Sequence, residues 1–382
     1  MPLPIPHGGK LTERRLPSQR LPEVARKEIA SLEVTPESLA DVRNIAFGRY
    51  SPLEGFLVRS ELVAVLETGR LADGTPWTIP IVLDVSTEQA DSFEAGKDVL
   101  LTRKGTAIAV LRLEEKHPLD KAAFARQVFG TEDTAHPGVS RLQNMGEVLL
   151  GGKIDLLDDS REPFPEYNLT PAETRALFEQ RGWETVCAFQ TRNAPHTGHE
   201  NMQKMVLAQV DGLLVHPVIG RKKKGDFKDE VILATYEALL KNYFNPDRTA
   251  LTILPMEMRY AGPREAVHHA IIRKNHGCTH FVVGRDHAGA GGFYAPEAAI
   301  DIFREYPDLG VEIITIRGDF FHCKVCAGLQ SDRTCPHADT DKIFFSGTKI
   351  RQMILEGQAL PPEIFRPEVF AAARSFDSPF VD

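Results

Sequence analysis

Cysteine is scarce in this chain, with five residues in 382. So few thiols exclude a scaffold built on disulfides. Long apolar runs are missing too; none approaches the roughly 18 residues that cross a bilayer, so no membrane partner is expected. The opening MPLPIPHGGKLTERRLP has no apolar segment of the kind found in secretory leaders, which makes the cytoplasm the expected location. Positive charge is not in excess. Lys and Arg number 45 against 53 Asp and Glu, a net charge of −8. Proteins that bind nucleic acid along their surface usually carry the opposite balance, so no nucleic acid is expected as a partner. Any anion bound here must meet a local cluster of positive groups. There is no G-x-x-x-x-G-K-[ST] run, which excludes a P-loop kinase of the usual kind. Internal repeats and low-complexity tracts are also absent.

What is present suits a soluble globular protein: 42% hydrophobic and 26% charged residues. The length suggests two or three domains. Residues 1–21 are Pro-rich and basic and read as an irregular lead-in. From about 22 to 165 the pattern is mixed. Strands are expected over 78–86 and 107–115, with EAGKDVLLTRKG between them as strand and turn of a small barrel. A boundary falls at DDSREPFPEYNLTP, where prolines and acidic residues suit a linker. A helix follows it: Thr170 caps, Pro171 takes the first position, Glu173 completes a capping box and Gly182 ends it. Beyond Gly182, apolar runs at 185–190, 212–220, 249–256, 278–284 and 311–317 read as strands. Helices are expected between them at 198–210, 229–244, 263–275 and 296–306. Such alternation marks a parallel sheet covered on both faces. The last 60 or so residues read as a metal-bearing loop followed by small helices.

Three clusters fall at the carboxyl ends of expected strands or at helix starts, where open α/β folds bind ligands. The densest is Gln190-Thr-Arg-Asn-Ala-Pro-His-Thr-Gly-His199. A helix start favours phosphate through its N–H groups and dipole. Gly198 permits close approach, and His196 and His199 share one side of the first turn. With Arg192 they can hold an α-phosphate and a leaving pyrophosphate. The second is Gly284-Arg-Asp-His-Ala-Gly289. Here Arg285 can bind an anion and Asp286 can orient Arg285 or His287, or meet a ribose or base. The third is Ser346-Gly-Thr-Lys-Ile-Arg351, a helix start with two cations. The basic run 221–226 (RKKKGD) reads either as a mobile loop over polyphosphate or as a solvated turn.

Three of the five cysteines lie between 323 and 335. Cys323-x-x-Cys326, Cys335 and His337 suit a closed tetrahedral structural zinc site. Only Pro336 separates the last two, so His322 or Asp339 stays open as the fourth ligand. Cys187 and Cys278 sit on expected strands and read as core.

The three clusters, in this order and setting, resemble the ATP sulfurylase (sulfate adenylyltransferase) family pattern: Q-x-R-N-x-x-H-x-x-H, then G-R-D-H-A-G, then S-G-T-x-(I/L)-R. Ser51-Pro-Leu-Glu-Gly-Phe56 is similar to that family's N-terminal domain. The resemblance spans nearly the whole chain and places it in the H-x-G-H nucleotidyltransferase superfamily. It implies an α/β fold with a Rossmann-like parallel-sheet catalytic domain at 169–318. A PUA-like mixed β-barrel domain would occupy 1–168, and a small C-terminal subdomain with the zinc loop 319–382. The implied reaction joins ATP and sulfate to give adenosine 5′-phosphosulfate and pyrophosphate, with Mg2+ accompanying ATP.

Carried over by position, Gln190, Arg192 and the Ala288 backbone N–H would bind sulfate. Thr191, Arg192 and Asn193 form the active-site run, and His196 and His199 would contact the phosphates. Gly284, Arg285, Asp286 and His287 would line the nucleotide, and the region of Asp319 and Phe320 would meet adenine through its backbone. A homodimer is the assembly the family implies. Sulfate is already ionised near neutrality, so no general base is required. No Ser or Cys is placed for a covalent intermediate, so direct in-line displacement is expected. Two other readings remain: a superfamily member acting on a phosphate-bearing substrate, and an RNA-binding zinc protein.

Overall fold

The computed structural model describes residues 2–16, 29–345, 347–358 and 360–381. Its strands, in chain order, are β1 (Ala30–Glu33), β2 (Gly55–Phe56), β3 (Asp84–Val85), β4 (Asp98–Arg103), β5 (Thr106–Pro118), β6 (Val148–Leu156), β7 (Val186–Thr191), β8 (Gly212–Ile219), β9 (Thr249–Leu251), β10 (Leu254–Pro255), β11 (His280–Gly284), β12 (Glu312–Ile316), β13 (Phe320–Cys323), β14 (Gly328–Ser331) and β15 (Lys342–Phe344). The chain gathers into two compact units. One combines Pro2–Leu177 with Pro255–Thr315; the other combines Phe178–Leu254 with Ile316–Asp382.

The first unit holds a mixed sheet in the order β1-β4-β5-β6-β2, with β3 also on β6. The β4–β5–β6 ribbon is antiparallel and β1 joins β4 in parallel. Its buried hydrophobic positions are Val, Leu, Ile and Ala from all three long strands. A bulge at Leu113/Glu115 on β5 faces Gly151 and Gly152 of β6. A Cβ on Gly152 would lie 2.1 Å from the Arg112 carbonyl oxygen, so only glycine fits this crowded bend. The strand expected over 78–86 shrinks to β3. Pro80 has no N–H to donate, so the buried run before β3 touches its neighbours through single bonds, Leu57 N to Ile81 O and Leu150 N to Leu83 O.

The helix Pro263–Asn275 belongs to this unit and matches the expected bounds. Ten of its residues are buried, polar ones among them. Glu265 accepts from the Arg259 and Ala261 amides, and Asn275 donates to the Arg49 and Ser51 carbonyls. Arg259 pairs with Asp41 through two bonds of 2.5 and 2.6 Å. Burial without such partners would be costly. β11 and β12 hydrogen-bond as neighbours. The helix expected over 296–306 is shorter, an α turn at Ala298–Asp301 running into a 3-10 turn at Ile302–Glu305.

The second unit is built on β7, β8 and β9, all parallel. The helix Thr197–Leu207 joins β7 to β8, and Asp229–Tyr243 joins β8 to β9. This β-α-β-α-β order is a mononucleotide-binding half-fold. All eight residues of β8 are buried, as a strand covered on both faces requires. The run expected as one strand over 249–256 divides into β9 and β10. Pro367–Arg374 packs on Asp229–Tyr243, and β14-β13-β15 form a small antiparallel sheet. Among the described residues no helix is long and apolar enough to cross a membrane.

Candidate active site

β7 ends at Thr191, and the chain turns through Arg192 to His196 before the next helix starts at Thr197. Thr191 fixes this turn: its hydroxyl donates to Asn193 O at 3.1 Å and accepts from Asn193 N at 3.2 Å. Behind Thr191 sits the buried Tyr236 hydroxyl, beside Thr191 and Gln203, its pKa pushed up to about 12 by burial. The Gln190 side-chain oxygen is buried with no hydrogen-bond partner.

His196 and His199 cap the helix reciprocally. His199 N donates to His196 Nδ1 and His196 N donates to His199 Nδ1, both at 3.4 Å. Each Nδ1 is therefore an acceptor, which leaves the proton of a neutral ring on Nε2. Burial holds both rings neutral. The His196 pKa falls well below 6.5 through burial and then through His199; the His199 pKa falls to about 4 through burial. The two rings stack at 3.8 Å, and Phe345 also stacks on His196 at 4.7 Å with 11° between planes. Two neutral imidazoles presenting N–H donors can bind phosphate oxygens without taking up a proton.

The helix start is less open than the sequence suggests. Thr197 N already donates to Ile364 O at 2.9 Å, and its hydroxyl donates to Glu363 O at 2.6 Å. His199 N is engaged by the cap. The donors this turn leaves available are therefore mainly side chains. The same helix is anchored by Glu200, 1% exposed, which accepts from Arg366 at 2.8 and 2.9 Å and from Lys204 at 2.6 Å. Burial alone would raise the Glu200 pKa; the two cations outweigh it and lower it.

Arg192 lies 3.7 Å from Asp226 in the 221–228 loop. Lys222 is nearly buried and pairs with Asp229 at 2.9 Å, so it is committed to structure. Lys223 and Lys224 are exposed. The loop is pinned from outside: Gly225 N donates to Val381 O, Lys228 N to Pro379 O and Val381 N to Asp226 O, with Phe227 against Phe380 at 4.7 Å.

Gly284 to Gly289 lie in the other unit, following β11. Asp286 and Ala288 adopt φ of 52° and 56°. Asp286 N donates to Pro296 O, and Gly262 N donates to Ala288 O. A Cβ on Gly289 would come within 1.7 Å of Asp286 Oδ1, which explains the glycine. Burial raises the Asp286 pKa. The His287 ring is turned inward, its Nε2 3.0 Å from His269 Nδ1 and its edge on Phe281. Burial, then the charges of His269 and Arg273, hold it neutral. Arg285 is partly exposed.

Cys323, Cys326, Cys335 and His337 converge in the second unit, their donor atoms all within 4.8 Å of one another. His337 Nδ1 lies 3.4, 3.3 and 3.5 Å from the three sulfurs in chain order, and Cys326 Sγ is 4.0 Å from Cys335 Sγ. A tetrahedral zinc with bonds of about 2.3 Å to sulfur places sulfurs roughly 3.7 Å apart, so the donor set fits zinc. Among the described residues, His337 is the group that completes this donor cluster. Neither His322 nor Asp339 joins the cluster, and Asp339 binds Lys342 at 2.8 Å. Asp319, at the start of this sheet, is exposed, and its amide donates to Asp332. Ser346 lies outside the described residues; the helix Gly347–Leu355 begins directly after it. Phe345, Tyr236, Arg366 and the carbonyls of Glu363 and Ile364 had no motif to reveal them.

A family model described as ATP-sulfurylase matches residues 165–375, and one for a PUA-like domain matches residues 4–159. The chain is 51% identical over 379 residues to a sulfate adenylyltransferase of Ignicoccus hospitalis, covering 98% of this chain and 99% of that protein. It is 50% identical over 380 residues to one of Pyrococcus abyssi, covering 99% of each. A solved structure titled as a hexameric APS kinase from Thiobacillus denitrificans matches with a TM-score of 0.76 at 22% identity, over 98% of this chain and 68% of that one. That structure shares the fold. With the three sequence clusters, the β7–helix site and full-length identity near one half, the chain belongs to the ATP sulfurylase family.

Proposed function

We propose that this protein is a sulfate adenylyltransferase that joins ATP and sulfate into adenosine 5′-phosphosulfate and pyrophosphate, reversibly. The observation that supports it most is the reciprocal His196–His199 cap on a β-α-β half-fold, preceded by Gln190, Thr191, Arg192 and Asn193. Sulfate must approach an α-phosphorus already surrounded by negative oxygens. Arg192 offsets that repulsion with a full charge, and Gln190 contributes an amide donor. The neutral Nε2–H groups of His196 and His199 hold the α-phosphate and the departing pyrophosphate, most strongly as charge develops on them. Thr191 and Asn193 keep the turn in place. Mg2+ arriving with ATP neutralises part of the polyphosphate charge.

In this reading Gly284, Arg285, Asp286 and His287 line the nucleotide, the Ala288 N–H joins the sulfate site and the backbone near Asp319 meets adenine. His287 acts through its backbone and the turn it stabilises, since its ring faces His269. Zinc is the structural metal of Cys323, Cys326, Cys335 and His337. The three-part division at 168 and 318, the cytoplasmic location and a homodimeric assembly belong to the same proposal, the last two resting on the sequence and the family resemblance.

The test is pyrophosphate release from Mg·ATP with and without sulfate, with pyrophosphatase present to draw the reaction forward. Sulfate-dependent release, lost in Arg192→Ala, is the expected result, and molybdate in place of sulfate should give AMP together with pyrophosphate. Equal release without sulfate, or an Arg192→Ala variant with unchanged turnover, would sink the assignment.

A further inference from the structure

The small sheet whose strand β13 ends at Cys323, with the other metal donors in its connecting loops, also leads an aromatic ring onto the H-x-G-H pair. In β13 and β15, Cys323 lies opposite Lys342, His322 opposite Ile343 and Phe321 opposite Phe344. Phe345 is the next residue, and its ring lies 4.7 Å from His196, nearly parallel to it. His196 in turn lies 3.8 Å from His199. Both rings are stacked on His196. Gly198 makes room for this arrangement, because a Cβ there would lie 2.8 Å from His196 Cε1 and 3.0 Å from Phe345 Cε2.

The cap bonds on His196 are long, at 3.4 Å, and weak bonds of that length leave the ring angle soft. Ring stacking supplies the missing restraint, since offset aromatic pairs favour one separation and tilt. Phe345 can act this way only if its strand is held. β13 has four residues and β15 three, too short for a stable sheet by themselves. The four converging donors close the 323–337 loop, and a bound metal there converts binding energy into order.

We propose that Phe345 is a positioning residue for His196, and that the Cys323/Cys326/Cys335/His337 centre, by holding β13 against β15, sets the orientation of the H-x-G-H imidazoles. The catalytic consequence rests on the adenylyl-transfer reading above; the structural linkage does not.

The experiment uses the full-length, zinc-loaded protein with 13C/15N-labelled histidine, at fixed pH. Three samples are compared with wild type: Phe345→Leu, Phe345→Tyr, and wild type stripped of zinc by a chelator. Zinc content, the His196 ring resonances and the kinetics of sulfate-dependent pyrophosphate release are measured. Phe345→Leu should keep its zinc and lose the ring-current displacement of the His196 signals. Its kcat should fall by on the order of ten-fold, with KM for sulfate little changed. Phe345→Tyr should restore both. Chelation should move the same His196 signals in wild type and move them no further in Phe345→Leu. Unmoved His196 signals with wild-type kcat in Phe345→Leu overturn the positioning role. Unmoved His196 signals on zinc removal overturn the linkage. Should Phe345→Leu fold poorly, the chelated wild type and Phe345→Tyr decide the matter alone. Absence of sulfate-dependent turnover in wild type would remove the adenylyl-transfer reading and leave the resonance test standing.

Discussion

Replacing Gly198 by alanine separates the two roles of the helix start. Gly198 sits in the first turn of Thr197–Leu207 with no left-handed backbone to protect, so alanine is conformationally welcome and intrinsically favoured by about 1 kcal/mol. Its methyl group, however, would stand 2.8 and 2.9 Å from two atoms of the His196 ring and 3.0 Å from Phe345. Ordinary contacts between such atoms need about 3.5 Å or more. The ring must therefore retreat by roughly 0.6 Å or more, and it is already stacked against both His199 and Phe345. Displacements approaching 1 Å at a reacting centre cost about a hundred-fold in rate, close to 2.7 kcal/mol of barrier. Gly198→Ala should thus lower kcat for sulfate-dependent pyrophosphate release by on the order of a hundred-fold. Its thermal midpoint should stay within a few degrees of wild type. A variant with wild-type stability and a kcat within about three-fold of wild type would show that the stacked imidazole geometry does not govern the reaction.

Three further outcomes are expected. The folded His199 pKa, about 4, lies below its reference value of 6.5, so between these values the unfolded chain binds more protons. Stability present above pH 6.5 is then lost as pH falls towards 4, and thermal melts across this window should show a shallower loss in His199→Gln. Cys335→Ser should abolish stoichiometric zinc binding in a colorimetric release assay, whereas His322→Ala and Asp339→Ala should keep it. Lys223→Ala with Lys224→Ala should raise KM for ATP while kcat changes little. Unchanged ATP kinetics would mark the 221–228 loop as a solvated turn.

The sequence legibly specifies whatever depends on neighbours a few residues apart. Thr170 and Glu173 form the expected capping box, Thr170 N donating to Glu173 at 2.8 Å and Glu173 N to Thr170 at 3.3 Å. Gly182 takes the left-handed turn that ends that helix. Pro263 opens a helix whose expected bounds hold to the residue. The apolar run of β8 is buried throughout, and Cys323-x-x-Cys326 closes a knuckle with Cys326 N on Cys323 Sγ. Each of these follows from local dihedral preference, hydrophobic period or ligand spacing.

Only the tertiary structure decides contacts between segments remote in sequence. It brings His337, and neither His322 nor Asp339, within 4.8 Å of the three thiols, and a lysine claims Asp339. It closes the first N–H of the H-x-G-H helix with Ile364 and turns His287 inward onto His269. It pins the basic loop with residues 379–381 and lays Phe345 on His196. Nothing in the composition of residues 342–345 signals that last contact. Propensity and periodicity act over one or two turns, whereas a ring stacked from another part of the chain is fixed by how the intervening chain folds in space.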